Sequence, residues 1–338
     1  MTIREIADLL DVSPSTVSIV LNGKPGVSDK TRCRVLDALK KYGYGTERVR
    51  RSNNSGKNIY FLKYSTTGLL VDKNDGFVSE IIDATEVEVR KNGYNLVLTS
   101  INDQNLENSL RHIKASQTAG LILLGTELFK KSSFFLTNLD IPLVIIDNYM
   151  PSYNINCVVM NNKEIVKQSV QYLYDLGHRS IGHVGSSVHI TNFEERDAAF
   201  HEKMQELSLK FNPKHEYYVV PNITLAYEEF KNILKNTPSL PTALFCNNDS
   251  IAIGVIRALK EYGYHIPHDI SIIGLDDIPS ASLIDPPLTT TKIYRIDIGK
   301  WSIQLLMDAI HNPHPTPAKV LTSGKFKIRD SVAPPSQK

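Results

Sequence analysis

From Asn58 onward, short β-rich runs alternate with amphipathic helical stretches, and this alternation limits the fold more tightly than any other feature of the chain. The strand candidates are 59–64, 95–99, 120–124, 143–147, 180–185, 217–220, 243–247 and 270–275. Between them, residues 77–91 place Phe77, Ile81, Ala84 and Glu88 at helical spacing, with Val78, Ile82 and Thr85 alongside and Gly93 as the stop. Segments 166–176, 195–207 and 251–262 follow the same logic. Strands joined by helical crossovers run parallel, so parallel sheets are expected. The 281 residues after position 57 are long for one such sheet. Two subdomains are therefore expected, with a ligand cleft between them at the C-terminal ends of their strands.

Composition narrows the class. The 338 residues carry 38 Lys+Arg against 36 Asp+Glu, which excludes a uniformly basic coat and a highly charged disordered chain. The longest apolar runs, such as 120–125 (GLILLG) and 141–146 (IPLVII), are far shorter than the roughly 18 residues of a membrane span. The opening MTIREIADLL is amphipathic and of mixed charge, unlike a signal peptide. Three widely spaced cysteines (Cys33, Cys157, Cys246) suggest neither a disulfide framework nor a zinc cluster, and a cytoplasmic location is expected. The near-neutral sum hides a division. Residues 1–57 hold 11 basic and 6 acidic side chains, a net +5, and the remaining 27 and 30 give −3. A basic head on an acidic body points to one module for a polyanion and another for something else.

That head reads as three short helices. Thr2 and Glu5 have capping-box spacing, and Ile3, Ile6, Ala7 and Leu10 make one helical face. Ser13 and Pro14 suit the cap and first turn of a second helix with Val17, Val20 and Leu21 inward, ending at Asn22-Gly23. Ser28 caps a third, with Cys33, Val35, Leu36 and Leu39 inward and Gly43 as the stop. Two short helices joined by a tight turn and braced by a third make a helix-turn-helix. The outer face of the second helix carries Ser15, Thr16, Ser18 and Asn22, which can reach phosphates or base edges. Pattern alone leaves open a small bundle that binds another protein.

The stretch from Thr2 to Tyr44 resembles the headpiece of the lactose-repressor/galactose-repressor (LacI/GalR) family of bacterial transcription regulators. Val12-Ser13, Thr16-Val17-Ser18, Val20-Leu21-Asn22, Val27-Ser28, Thr31-Arg32 and Arg34-Val35 stand at the family's spacing. The resemblance implies that the second helix enters the major groove, with Pro14, Ser15 and Ile19 at base-reading positions and Thr16, Ser18, Asn22 and Thr31 on phosphates. Ile19 departs from the Arg often found there and has no donor for guanine, so apolar contact such as a thymine methyl is implied instead. Residues 45–57 (GTERVRRSNNSGK) stand where the family has its hinge, which enters the minor groove and kinks the duplex with an apolar wedge, but they depart from its pattern, with Thr46-Glu47 for the usual Pro-Asn and Arg50-Arg51 for the usual Ala-Arg. The wedge position corresponds to Asn53. Arg48, Arg50 and Arg51 are left to read groove shape.

The body carries no G-x-S-x-G elbow, P-loop, H-E-x-x-H or G-x-G-x-x-G, so no catalytic, cofactor or metal site is expected. It too resembles the same family, whose core is like that of periplasmic sugar-binding proteins. The matching residues are 176–182 (LGHRSIG), 248–254 (NDSIAIG), 271–277 (SIIGLDD) with 286–290 (PPLTT), and 326–331 (FKIRDS). The match is weakest from 59 to 76. The expected architecture is an all-α helix-turn-helix headpiece (1–44), a hinge (45–57) and a periplasmic-binding-protein-like α/β core (58–331) of two doubly wound parallel-sheet subdomains. The first subdomain would take 58–158 and 289–318, the second 159–288 and 319–331, leaving a short tail at 332–338.

Four positions match the family's effector contacts: Asp147, Arg196, Asn248 and Asp276. Each has an ordinary structural use as well: a turn cap for the aspartates, a helix cap for Asn248, an ion pair with Glu194 or Glu195 for Arg196. Together they imply a polar pocket for a sugar-like effector, with a phosphorylated sugar or a purine as the alternatives. Ile223 stands where an aromatic residue often stacks on the sugar. The implied partners are operator DNA, a small-molecule effector and a second copy of the chain. VAPPSQK holds no heptads, so a homodimer and not a tetramer is expected. A second reading is a small-molecule sensor with altered DNA specificity, motivated by Ile19 and the missing wedge.

Overall fold

The computed structural model describes residues 2–21, 26–42, 57–71, 76–116, 118–128, 136, 139–237, 239–312 and 314–336. Asn22, Arg48, Arg50, Arg51 and Asn53 lie outside these residues, as does the hinge apart from Lys57.

The head is three helices, α1 (Ile3–Leu10), α2 (Pro14–Leu21) and α3 (Asp29–Lys41). The capping box forms in both directions: Glu5 N–H donates to Thr2 Oγ1 at 3.3 Å, and Thr2 N–H donates to Glu5 Oε2 at 2.8 Å. Asp11 takes the left-handed conformation (φ 53°) that ends α1 and starts the tight turn. Ser13 Oγ then accepts from Thr16 N–H at 3.0 Å, starting α2, and Ser28 Oγ accepts from Thr31 N–H at 3.3 Å, starting α3. Ile6, Ala7, Val17, Val20, Leu21, Val35, Ala38 and Leu39 form a core of their own. Arg34 Nη2 donates to Leu10 O at 3.0 Å and ties α3 to the end of α1. Cys33, expected inward, is exposed. Two residues is about 200° on a helix, so a helix that buries Val35, Ala38 and Leu39 turns position 33 outward.

The first lobe is a six-stranded sheet in the order β11-β5-β4-β3-β1-β2, parallel throughout. Its strands are β1 (Asn58–Tyr64), β2 (Asn95–Ile101), β3 (Thr118–Leu124), β4 (Leu143–Ile146), β5 (Asn156–Met160) and β11 (Lys319–Thr322), and its helices are α4 (Phe77–Lys91), α5 (Leu106–Ala115) and α10 (Arg295–His311). β3 reads GLILL because helices cover both of its faces, so alternation is lost. α10 lies close against strand and helix at once. A Cβ on Gly120 would come within 2.9 Å of Leu306, and one on Gly299 within 2.9 Å of Ala84.

The second lobe is a four-stranded parallel sheet in the order β7-β6-β8-β9. Its strands are β6 (Ile181–Ser186), β7 (Glu216–Val219), β8 (Ala243–Cys246) and β9 (Ser271–Ile273), with α6 (Asn162–Asp175), α7 (Thr191–Glu206), α8 (Ile223–Lys235) and α9 (Asp249–Glu261). β10 (Thr290–Ile293) and β12 (Gly324–Lys327) form a separate antiparallel ribbon.

Two expected lobe boundaries are corrected. Residues 319–322 pair with β5 in the first sheet, not with the second lobe. Residues 289–293 bond to the second lobe instead, through Gly274 N–H to Thr289 O and Asp276 N–H to Thr291 O, both 3.0 Å. Both stretches are short and β-rich, and their pairing partners, not their local pattern, decide which lobe takes them. The chain thus crosses between lobes near 161, 294 and 323. The first and third crossings touch, since Asn161 N–H donates to Thr322 O at 2.8 Å. Among the described residues, no helix is long and apolar enough to cross a membrane.

Removing the Ser13 hydroxyl tests the head alone. Ser13→Ala is expected to cost about 1 kcal/mol of head stability. Amide hydrogen exchange should then show α2 opening faster while exchange in β3 and β4 is unchanged. Unaltered protection of α2 would disprove the role of this cap.

Candidate functional site

On the head, Pro14 and Ser15 are exposed at the start of α2 and Ile19 is half-buried on the same side, opposite Val17 and Leu21. The hydroxyls expected to hold phosphates gather at helix starts. Ser13 Oγ lies 2.7 Å from Ser15 Oγ and 2.8 Å from Thr16 Oγ1, and Thr31 Oγ1 lies 2.9 Å from Ser28 Oγ. Ser18 is half-buried and already has an interaction partner.

In the core, Asp147, Arg196, Asn248 and Asp276 line one cavity between the lobes, together with Thr126, Asn192, Phe77 and Phe193. Each lobe contributes one aspartate just past a strand end, Asp147 after β4 and Asp276 after β9. Both have positive φ, 63° and 122°. Side chains other than glycine rarely adopt this conformation, and it turns the residue off the strand line. Asp147 accepts from Thr126 Oγ1 at 2.6 Å and from Asn192 Nδ2 at 2.8 Å.

Arg196 is 3% exposed. Its Nε donates to Asn162 Oδ1 at 2.9 Å and its Nη1 to Asn247 O at 2.6 Å. Nη2 lies 2.9 Å from Met160 Sδ and 3.6 Å from Asp276 Oδ1. It makes no ion pair with Glu194 or Glu195 among the described contacts. Asn248 caps α9, its Oδ1 accepting from Ile251 N–H at 2.9 Å, so its amide nitrogen is the group left to face a ligand. These side chains close the cavity to about 30 Å³, room for water alone.

The electrostatics follow from burial. Desolvation pushes the Asp147 carboxyl up to about 6, against the opposing pull of Thr126, Arg196 and Asn192. Burial likewise raises Asp276, with Arg196 and Arg295 opposing. Asp249, the first residue of α9, is pushed up to about 7, by burial first and then by Asp276.

A second buried guanidinium ties the lobes. Arg295 donates to Glu80 at 2.8 Å and to the carbonyls of Asp276 and Asp277, and it lies over the Phe77 ring at 5.3 Å.

Several of these residues escaped sequence reasoning. Asn192 sits four residues before the expected Arg196 on one helical face, a spacing hidden because the helix expected from 195 begins at Thr191. Phe77 and Phe193 were visible only as apolar residues. The loop from Thr66 to Leu70 departs from the family pattern and gave no signal. Buried Glu127 collects it: one carboxylate oxygen accepts from the N–H groups of Thr66 (2.7 Å), Thr67 (2.7 Å) and Gly68 (3.2 Å), and the other from Leu70 (2.9 Å). Leu70 is thereby set against Ile190 and Phe193 of the opposite lobe. Ile223 packs on the second lobe's apolar core and does not line the cavity.

Residues 2–47 match the model of bacterial regulatory proteins of the lacI family, and residues 170–332 match a periplasmic binding protein-like domain. The HTH-type transcriptional repressor PurR of Pasteurella multocida is 32% identical, with 98% of each chain covered. This chain belongs to the lacI family. It is thus a DNA-binding transcriptional regulator with a periplasmic-binding-protein-like core. The ribose operon repressor of Haemophilus influenzae is 29% identical over 98% of each chain. The fold is shared with the Lac repressor dimer bound to operator and the anti-inducer ONPF (TM-score 0.73, 22% identity, 98% and 99% coverage). It is also shared with the transcriptional regulator CelR in complex with cellobiose (TM-score 0.72, 22% identity, 98% and 99% coverage).

Glycine adopts φ 122° without strain, so Asp276→Gly should be more stable than Asp276→Ala by about 1–3 kcal/mol in urea unfolding. Equal stability would show that the backbone there is unstrained. An acid whose folded pKa is raised contributes stability that is present in full below its unfolded value, here 3.8, and lost as pH rises through the folded value. Asp249→Asn removes that term. Its melting temperature relative to the parent should therefore climb between about pH 4 and pH 7. A flat difference across this window would contradict the burial of an ionisable Asp249.

Proposed function

We propose that this regulator is a repressor that binds a two-fold symmetric operator as a homodimer and is controlled by a small polar, sugar-like effector in the cleft between its lobes. It acts by binding, not by turnover. The observation that carries the reading is the convergence of strand-end Asp147 and Asp276, one from each lobe, on the buried guanidinium of Arg196. A polyhydroxylated ligand suits such a set. Its hydroxyls can donate to the carboxylates and accept from Arg196 and the Asn248 amide. Phe77 and Phe193 offer it apolar walls.

On the DNA side, Pro14, Ser15 and Ile19 are the base-reading residues, with Ile19 against an apolar base edge, and Thr16, Ser18, Asn22 and Thr31 hold phosphates. Arg48, Arg50, Arg51 and Asn53 follow the groove in the linker. One head covers a half-site, so a dimer matches a palindrome. A ligand that prefers one lobe geometry shifts the spacing of the heads, with a coupling of about 1–3 kcal/mol or roughly 5–150-fold in operator affinity.

The test begins with operator selection from a random DNA pool and a thermal-shift screen of sugars, sugar phosphates and nucleobases. Salt-sensitive preference for a palindrome is expected, together with a stabilising ligand that changes operator affinity. Asp276→Ala and Arg196→Ala should abolish that change while leaving operator affinity within about threefold, well below the expected coupling. A purified protein with no preference for a palindrome over random DNA would refute the repressor reading. Loss of DNA binding in both folded variants would refute the division between head and cleft.

A further inference from the structure

Behind the cleft, the second lobe carries a cluster of ligating side chains outside the effector site. His183 on β6 is fully buried. Its ring is stacked on Phe200 (centroids 4.9 Å apart, planes at 20°) and on Phe245 (6.0 Å, 10°), which holds its plane. Its tautomer is held as well. Asn247 Nδ2 donates to Asp197 Oδ1 at 2.7 Å, and this sets the amide so that Asn247 Oδ1 faces His183 Nε2 at 2.9 Å. Asp197 Oδ1 is itself 3.3 Å from the same nitrogen. With acceptors on that side, Nε2 carries the proton and Nδ1 presents its lone pair.

Nδ1 has no hydrogen-bond partner. It faces Glu216 Oε1 at 3.6 Å, beyond hydrogen-bond range; the same oxygen is hydrogen-bonded to His201 Nε2 at 2.8 Å and accepts from the Tyr218 hydroxyl at 3.1 Å, contacts that a bound ion would replace. The three ligating atoms all fall within 4.8 Å of one another. The unpartnered Nδ1 and the Glu216 oxygen point at one another across a gap that no hydrogen bond bridges, and an ion bound between them would use both. Two atoms bound tetrahedrally to one zinc ion stand about 3.3 Å apart, given metal–ligand distances of about 2.0–2.1 Å. The observed 2.8 and 3.6 Å bracket that value.

We propose that His183 Nδ1, His201 Nε2 and the Glu216 carboxylate form a site for a divalent transition-metal ion of the zinc type. Two imidazoles and a carboxylate are the ligand set such ions favour. The Nε2–H contact of His183 to Asn247 and Asp197 is the outer hydrogen bond that orients a metal-bound histidine. Solvent reaches the site past His201, 41% exposed, and the exposed Tyr218, which leaves a way in and a position for water.

The full chain, stripped with a chelator, is titrated with cobalt(II) as a visible probe and with zinc(II) by calorimetry. One equivalent per chain should bind, with d–d absorption of a four- or five-coordinate cobalt ion. His201→Ala and Glu216→Gln should each weaken binding by at least about tenfold, as loss of even an outer partner of a metal site does. Cys33→Ser and His311→Ala, which remove other exposed ligands, should leave the affinity unchanged. The site is refuted if the parent shows neither cobalt bands nor zinc heat, or if binding survives undiminished in His201→Ala. The His201 side chain is partly exposed, so its truncation tests the site even if Glu216→Gln fails to fold.

Discussion

A buried guanidinium needs acceptors on every side, and this requirement at Arg196 organises the seam between the lobes. Removing one partner from such a group costs several kcal/mol, because an uncompensated charge is left inside. The acceptors come from four directions: Asn162 at the start of α6, the Asn247 carbonyl after β8, Met160 at the end of β5 and Asp276 after β9. Met160 belongs to the first lobe and the rest to the second. The side chain that would grip a ligand is therefore also one that registers how closely the lobes approach. Arg295 repeats the arrangement at the crossing near 294, with Glu80 and Phe77 on one side and the Asp276–Asp277 backbone on the other.

Around this seam the strain is local. Asp147 and Asp276 hold left-handed backbones and, through burial, raised carboxyl pKa values. Both features work against folding and both place a carboxylate in the cleft. They are tolerated because the surroundings hold them, Asp147 by Thr126 and Asn192 and the Asp276 backbone by Arg295. Glu127 does similar work for the Thr66–Leu70 loop, where a single carboxylate replaces a ladder of backbone partners.

Much of this was legible in the sequence, for stated reasons. Strand–helix alternation marked the parallel sheets because their connections are local. Thr2, Ser13 and Ser28 marked helix starts because a cap bonds within three residues. The four cleft positions could be named by resemblance, and the structure places all four on one cavity. What stayed hidden depends on distant partners. β11 could be allotted to a lobe only by pairing across 162 positions, and β10 only by its bonds to the Gly274–Asp276 stretch, which no local pattern marks. Cys33 is apolar enough to suggest an inward side chain, yet its spacing from Val35 turns it out. Asn192 disappeared because the first turn of α7 is polar. His183, His201 and Glu216 belong to three elements, and no spacing rule joins them.

The place of β11 has a consequence for the order of synthesis. It pairs with β5 across 162 positions, from Cys157 to Lys319, so almost the whole second lobe is made between the two strands. Until Thr322 has emerged, β5 stands at an open edge, and its five residues are all of the kind that the finished sheet buries. A nascent chain therefore carries an unpaired apolar edge through the making of some 160 residues, and such edges invite pairing with other chains. The strand of the first sheet that is made last is the one that covers β5 and completes it.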